Sequence, residues 1–257
     1  MKNLKIDDES LSMLSTLNIV KNNNYDYPNN FFSVWDDFTQ HVPSWEHYLI
    51  EKFKGKDDLT FLELGTAQGR ATVWLLEEIL IGKNCSIYTV DDKVKQKAST
   101  KGNSMLSDLF SRIERDDMGG FPDFFKRLKD KDWWGDRENI EIEFNVINNL
   151  KPYIDKNVCN FYNCTSSTFF KSMTNLEPIF DFIYIDASHN PEDVIFDGIN
   201  AFRHLKTGGI IIFDDYFWGK CRVGIDCFIE THKGYLNSHL DKFTQYQMIV
   251  EKTKDLS

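Results

Sequence analysis

The sequence lacks the features that mark membrane and secreted proteins. No stretch approaches the 18 apolar residues of a membrane-spanning helix, and the N-terminus MKNLKIDDES has no apolar signal-peptide core. The five cysteines are an odd number without a C-x-x-C pair, which favours reduced thiols. Cys221, Cys227 and His232 do not have the spacing of common zinc sites. We therefore expect a soluble, cytoplasmic protein that makes no membrane contact.

Positive charge is also scarce. The chain has 30 Lys and Arg residues against 40 Asp and Glu residues, which gives a formal net charge of −10. This balance argues against a broad nucleic-acid or anionic-membrane surface, although it leaves room for a local basic patch. At 257 residues the chain suits one α/β domain with additions and can bury a substantial core.

The segment FLELGTAQGR, residues 61–70, organises the rest of the chain. Phe61–Leu64 is typical of a short buried strand, Gly65 and Gly69 bracket a tight turn, and ATVWLLEEIL follows with apolar residues at helical spacing. A strand, a glycine turn and a helix in this order form the first unit of a nucleotide-type α/β site, because glycine lets the backbone approach a ligand. The spacing is G-x-x-x-G rather than G-x-G-x-x-G, so the glycines alone are equally consistent with a plain turn.

The next strand strengthens the ligand interpretation. CSIYTVDD, residues 85–92, is apolar and ends in two carboxylates. Asp91 falls roughly 20 residues beyond the glycine turn, where doubly wound folds carry the acid that binds ribose hydroxyls. Asp91 and Asp92 could instead simply end a strand at the solvated edge. The order of the two features favours a ligand site.

The N-terminal part and the middle of the chain depart from a minimal α/β pattern. Residues 1–43 read as a polar arm with a short helix that ends near Pro43, and Ser44 reads as the N-cap of a helix that opens the main domain, 44–257. Residues 93–157 exceed the usual connection and predict a helical insertion of three helices, the last ending before Pro152. This insertion could form a cap over the ligand site or a homodimer surface. Its four lysines, at 93, 95, 97 and 101, fit a solvated loop or a phosphate-binding one.

The second half of the chain predicts further strands and helices. Strands are expected over 157–162, at FDFIYIDASH (180–189) and at IIIF (210–213), with a helix before IIIF that stops at Gly208–Gly209. A helix over 223–229 follows. The segment QYQMIVEK predicts a closing strand, antiparallel to a short FTQ partner.

Carboxylates follow two of the predicted parallel strands. Asp186 follows one strand, and Asp214 and Asp215 follow the next, so all three should meet at the carboxyl edge of the sheet. Clustered carboxylates raise one another's pKa values, and a hard divalent cation such as Mg²⁺ relieves the repulsion. The alternative is that Asp214 and Asp215 cap the following segment while Asp186 binds backbone amides. His189, three residues beyond Asp186, is either a helix-start residue or a general base near a metal.

These motifs together resemble a known family. ELGTAQG, TVDD, FIYIDASH and LKTGGIIIFDDYFW occur in the order found in class I S-adenosylmethionine-dependent methyltransferases. More narrowly, they look like the metal-dependent small-molecule O-methyltransferases of the catechol type and of the macrolide and aminocoumarin sugar type. The resemblance covers about residues 45–92 and 140–252.

The resemblance implies a role for each matched residue. Asp91 would hold the ribose and Ser166 would lie beside the adenine. The catechol type has a lysine base where this chain has His189, and the sugar type has an aspartate where this chain has Ser188. The methionine part of the cofactor would be surrounded by Glu63, Gly65, Thr66, Ala67 and Gly69, and the metal would be held by Asp186, Asp214 and Asp215, with Asp186 and His189 as the catalytic pair.

The expected fold is therefore a doubly wound, mostly parallel seven-strand sheet of the Rossmann-like methyltransferase type, with a helical insertion after the second strand. The expected reaction is methyl transfer from S-adenosylmethionine, not NAD chemistry, to a hydroxyl of a small molecule or sugar, with Mg²⁺ or another hard divalent cation. Two alternatives remain: an RNA-directed 2′-O-methyltransferase, which the net charge disfavours, and a cofactor-binding interaction subunit without turnover.

Overall fold

The fold was analysed in a computed structural model of the chain. The structure describes residues 27–28, 31, 38–92, 145–173, 177–218 and 220–256, and all structural statements below concern these residues. The predicted lysine loop and the first two helices of the insertion lie outside them.

A seven-stranded sheet forms the centre of the molecule, in the order β3-β2-β1-β4-β5-β7-β6. The strands are β1 (Thr60–Leu64), β2 (Ser86–Val90), β3 (Cys159–Tyr162), β4 (Phe180–Ile185), β5 (Leu205–Phe213), β6 (Leu236–Leu240) and β7 (Met248–Lys252). The first five strands in this order are parallel, whereas β7 runs antiparallel to both β5 and β6. The predicted doubly wound, mostly parallel fold is confirmed. The strand order reverses between β1 and β4, and ligands bind at such a switch point.

Six helical elements flank the sheet in the described part of the chain. Helix α1 is continuous through a 3-10 turn (Thr39–His41), an α segment (Val42–Trp45), a π segment (Glu46–Ile50) and a last α turn (Glu51–Phe53). Helix α2 joins Arg70–Trp74 to a π segment, Leu75–Ile79. The others are α3 (residues 145–154), α4 (Ser166–Ser172), α5 (Pro191–His204) and α6 (Cys221–Thr231).

The strands bury both faces of the sheet because successive side chains point to opposite sides. Phe61 and Phe182 belong to one core with Trp45 of α1 and Trp74 of α2. The neighbouring strand residues face the second core, formed mainly with α4, α5 and α6. A sheet covered on both sides leaves its carboxyl edge as the place where polar side chains can gather.

Several predicted boundaries were wrong. Helix α1 already begins at Thr39, so Pro43 and Ser44 lie inside it rather than at its start. Helix α3 continues through Pro152 to residue 154, although a proline inside a helix removes one backbone hydrogen bond.

Two errors concern the second half. Helix α5 stops at His204, and Gly208 and Gly209 lie within β5, where the backbone of Asp181 comes within 2.9 Å of any Cβ added at Gly209. The partner of the closing strand β7 is Leu236–Leu240, not the FTQ segment, which lies in the loop held by Asp241. None of the helices in the described part of the chain has both the length and the apolarity to cross a bilayer.

Candidate active site

The sheet's hydrogen bonding continues into the loops at its carboxyl edge. Gly65 N donates to Val90 O at 2.8 Å, Asp186 N to Leu64 O at 2.8 Å, and Asp214 N to Ile185 O at 3.0 Å. The first loop residue after each strand is therefore held in register with its neighbour. This places Gly65, Asp186 and Asp214 side by side.

The glycine turn is built for close approach of two backbones. Gly65 has φ +93°, and a Cβ at this position would lie 1.8 Å from Asp186 O, so no other residue fits. Gly69, with φ +83°, is the N-cap of α2. Ala67 N donates to Asp91 Oδ2 at 2.9 Å, which ties the turn to the end of β2. The predicted turn and the predicted ribose carboxylate are thus in direct contact.

Glu63 and Thr66 lie beneath this turn. Glu63 is 1% exposed, and its carboxylate accepts hydrogen bonds from Thr72 and, at 2.8 Å, from Thr89. The hydroxyls of Thr66 and Thr89 are also hydrogen-bonded to each other. Glu63 therefore supports the turn from beneath, and its predicted place beside the cofactor stays a prediction.

Helix α3 covers the other side of the turn. Asn145 Nδ2 donates to Gln68 Oε1 at 3.0 Å, and Asn149 Nδ2 donates to Gln68 O at 2.8 Å. Leu150 packs against Gly69, where a Cβ would come within 3.1 Å of its side chain. The sequence analysis missed these two asparagines. Their four-residue spacing in an otherwise apolar helical pattern was the available signal.

A cavity of about 630 Å³ opens at the carboxyl edge. Four of the predicted site residues line it, namely Gly65, Asp91, Ser166 and Asp186. The sequence analysis missed a further group on its wall: Asp92, Cys164, Thr165, Glu192, Asp193 and Phe196. The volume is in the range of ordinary cofactor and small-molecule sites. The cavity therefore brings together the cofactor residues predicted on β1, β2 and α4.

Asp197 lies behind the Ser166 side of this cavity. The side chain is 1% exposed, and burial raises the pKa of its carboxyl from 3.8 to about 6, against the lowering effect of a hydrogen bond from Ser166. Its Oδ1 atom makes no hydrogen bond in the described structure. A buried carboxyl of this kind favours the protonated form more than a solvated one does.

Three side chains at the edge have the geometry of metal ligands. One ligand atom each from Asp186, His189 and Asp215 lies within 4.8 Å of the other two, and this is the one such group in the described ranges. His189 Nε2 lies 2.7 Å from Asp215 Oδ2, and the imidazole stacks on Trp218 with 6.0 Å between ring centroids. The predicted catalytic pair therefore lies together, with Asp215 as the third member.

Asp214 lies at the same edge but is more buried than Asp186 and Asp215, and its predicted metal role stays a prediction. It is 8% exposed, and it accepts hydrogen bonds from Tyr184 OH at 2.8 Å and Gln247 Nε2 at 3.1 Å. Burial raises the pKa of Asp214, whereas His41, with Nε2 3.7 Å away, acts to lower it. The carboxylate thus points into the protein, and His189 takes the third place in the ligand-like group.

The residues behind Asp214 come from distant segments. Gln247 also accepts from Trp45 Nε1 at 2.9 Å, and the Tyr184 hydroxyl lies 3.3 Å from Asp186 Oδ2. Tyr246 is hydrogen-bonded to Asp215. Burial is the main cause of the raised pKa of the Tyr246 hydroxyl, and the contact with Asp215 raises this pKa further. None of these partners follows from local sequence pattern.

Comparisons with known proteins agree with this geometry. Residues 62–216, more than half of the chain, match the family model described as a methyltransferase domain. No curated protein sequence matches the chain significantly.

Solved structures share the fold at low identity. A candidate rRNA-methylase from Clostridium thermocellum is 14% identical, with a TM-score of 0.53 over 84% of this chain and 97% of that one. An O-methyltransferase from Bacillus cereus is 15% identical, with a TM-score of 0.50 over 98% and 94%. The O-methyltransferase TomG from Streptomyces achromogenes is 13% identical, with a TM-score of 0.50 over 97% and 92%. With the matched domain, the glycine turn and the sheet order in agreement, the chain belongs to this methyltransferase family and is an enzyme of the S-adenosylmethionine-dependent class.

Proposed function

We propose that the protein transfers the methyl group of S-adenosylmethionine to a hydroxyl of a small molecule, with the help of a divalent cation. One observation carries the proposal. Asp186 lines the cofactor cavity and also belongs to the group formed with His189 and Asp215. A cofactor in the cavity and an acceptor beside the group would therefore meet at one residue, which is the geometry that transfer between two bound molecules requires.

The cavity's charge supports S-adenosylmethionine as the ligand. Its wall carries the carboxylates of Asp91, Asp92, Asp186, Glu192 and Asp193. A sulfonium is cationic, so a wall of carboxylates favours the charged cofactor over its neutral product. The Bacillus cereus and Streptomyces achromogenes proteins are described as complexes with S-adenosylhomocysteine and S-adenosylmethionine, respectively. In this proposal Asp91 binds the ribose hydroxyls, and Ser166, which lines the same cavity, lies beside the adenine.

The residues at the edge also fit a divalent cation. Asp186 and Asp215 offer carboxylate oxygens from two adjacent loops, and carboxylates are the side chains that bind such ions best. When bound, the ion supplies positive charge that lowers the pKa of an acceptor hydroxyl. His189 stands beside the same oxygens, either to accept the hydroxyl proton, as the sequence suggested, or to act as a ligand itself.

The acidic edge disfavours RNA as the acceptor. Five carboxylates on the cavity wall, together with Asp215, would repel a phosphate backbone at close range. The likeness to the candidate rRNA-methylase concerns the fold, which hosts many acceptors. A small neutral hydroxyl compound avoids this repulsion.

The proposal is tested by following a labelled methyl group. Calorimetry should show binding of S-adenosylmethionine and none of NAD. Label should then pass to a pool of hydroxyl-bearing metabolites in the presence of a divalent ion, and excess chelator should stop the transfer. Transfer to RNA in preference to the metabolite pool, or full transfer in chelator, would contradict the acceptor class or the metal, respectively. Tight binding without any transfer would support the interaction-subunit alternative.

A further inference from the structure

The geometry points to a ligand set of Asp186, His189 and Asp215, and hence to a first-row transition ion such as Mn²⁺ in preference to Mg²⁺. The three aspartates suggested by the sequence would form an all-oxygen site. The inference rests on the proposed function, because it identifies the cation of that same site.

The positions of the ligand atoms support this set. Two carboxylate oxygens and one imidazole nitrogen lie within 4.8 Å of one another. Ligands that share an ion at about 2.1 Å each lie about 4 Å apart or less. The His189 side chain is 52% exposed and that of Asp215 is 16% exposed, so both can rotate. Such rotations would bring the ligand atoms from up to 4.8 Å apart to the roughly 4 Å that a shared ion requires. The present contact between His189 Nε2 and Asp215 Oδ2 would open to admit the ion.

The carboxylate of Asp214 is already hydrogen-bonded to other residues. Its two oxygens accept from different donors, Tyr184 OH and Gln247 Nε2, and its side chain is 6% exposed. Turning Asp214 toward the edge would leave the buried Gln247 amide without this acceptor, which costs about 1–3 kcal/mol. In its observed position Asp214 holds the Tyr184 hydroxyl 3.3 Å from Asp186 Oδ2 and so orients a ligand from behind.

The nitrogen ligand determines the class of ion. Carboxylates and water suit Mg²⁺, Ca²⁺ and Mn²⁺, whereas imidazole suits the later first-row ions, so a site with two carboxylates and one imidazole favours a first-row ion over Mg²⁺. His189 is also held for this role, because its ring stacks on Trp218 with an angle of 22° between the ring planes. Coordination through Nε2 occupies the atom that a general base would use. His189 therefore binds the ion and does not remove the proton.

Metal binding to the full chain tests the inference directly. Protein stripped with chelator is titrated with Mn²⁺, free Mn²⁺ is followed by electron paramagnetic resonance, and pulsed measurements detect nitrogen coupling to the bound ion. Mn²⁺ should bind at least about tenfold more tightly than Mg²⁺ in competition, and the bound ion should show nitrogen coupling.

Three variants separate the two ligand sets. His189→Ala should weaken Mn²⁺ binding at least about tenfold and remove the nitrogen coupling. Asp214→Asn should keep the nitrogen coupling and lose about 10–100-fold in affinity, the usual loss for a residue that orients a ligand. His239→Ala is the matched control, since His239 lies on β6 and contacts Tyr48 rather than the edge. Circular dichroism confirms that each variant is folded.

The results that overturn the inference differ from those that overturn the proposed function. Equal affinity for Mg²⁺ and Mn²⁺, nitrogen coupling that survives His189→Ala, or loss of binding only in Asp214→Asn would each refute the nitrogen ligand. The absence of any ion binding would also refute it. Ion-dependent methyl transfer without nitrogen coupling would leave the proposed function standing, whereas nitrogen coupling without transfer to any hydroxyl would leave only the metal site.

Discussion

The two ends of strand β4 carry aspartates in opposite surroundings. At the amino end, Asp181 binds Lys206 Nζ at 2.8 Å and accepts from Thr60 N at 2.9 Å. At the carboxyl end, Asp186 lies near a tyrosine hydroxyl, a histidine and a second aspartate, on the wall of a cavity. Only four strand residues, 182–185, therefore separate a carboxylate paired with a lysine from a carboxylate that lies close to other acidic side chains.

The same contrast extends along both edges of the sheet. At the amino edge, Lys252 is 2% exposed and donates to Leu205 O at 2.7 Å, with Asp255 3.0 Å away. At the carboxyl edge, the buried Asp214 has a raised pKa because of burial, with Asp215 adding to the shift. The charges at the amino edge are paired, whereas at the carboxyl edge several carboxylates lie close together beside the cavity, a pattern that functional sites often show.

The largest expected effect comes from the β4 aspartates themselves. Asp186→Asn should reduce methyl transfer by about 10³-fold, because it removes a charge that both bound molecules meet. Its free energy of unfolding should be unchanged or higher, since like-charge repulsion falls. Transfer rates and urea unfolding check both statements.

Asp181→Asn on the same strand is the matched control. It should cost at most about 1 kcal/mol of stability, because its partner Lys206 has 39% side-chain exposure, and it should leave the transfer rate unaltered. If Asp181→Asn slowed methyl transfer as much as Asp186→Asn does, the two edges of the sheet would not differ in function.

The second-largest effect is expected from Asp197, and it appears as a dependence of folding stability on pH. Its carboxyl pKa is raised from 3.8 to about 6 in the folded chain, so the folded state holds the proton more tightly than the unfolded state. The associated stability is fully present below about pH 4 and is lost as pH rises through about 6, by up to about 3 kcal/mol. Asp197→Asn should lack this loss, so its stability relative to the native chain should increase between about pH 4 and pH 8. Denaturant unfolding at several pH values measures this difference, and parallel curves for the two proteins would refute it.

A smaller effect than that of Asp197 is expected for Lys252 at the amino edge. Lys252→Met should lower the free energy of unfolding by about 2 kcal/mol, because the carbonyl of Leu205 loses a buried donor. S-adenosylmethionine affinity should not change, since Lys252 lies at the opposite edge from the cavity. A variant with native stability but weakened cofactor binding would show that the two edges are coupled.

Local pattern was sufficient for the parts of the site that one strand and its following loop determine. Gly65 and Asp91 follow apolar strands directly, and parallel strands bring their carboxyl ends to one edge, so their meeting at the cavity wall could be predicted. The hydrogen bonds of Glu63 could not be predicted, because the hydroxyls of Thr72 and Thr89 reach its carboxylate only in the folded sheet.

The boundaries failed where local signals have two meanings. Gly208 and Gly209 stop helices in many sequences, yet here they lie in a strand whose close approach to Asp181 leaves no room for a side chain at Gly209. The FTQ segment has strand-forming residues, but four backbone amides of its loop donate to Asp241. Hydrogen bonds from this loop, which outweigh the effect of burial, lower the pKa of Asp241 to about 2.

The sequence by itself determined the sheet, the glycine turn and the row of aspartates at one edge, because each follows from side-chain periodicity and from residues next to one another in the chain. Only the tertiary structure decided which aspartate faces outward. Asp214 and Asp215 are neighbours in sequence, and the direction of each depends on Tyr184, Gln247 and His189, which belong to other segments. A buried carboxylate turns toward the donors that satisfy it, and those donors are brought together only when α1, β4 and the loop before β7 pack against one another.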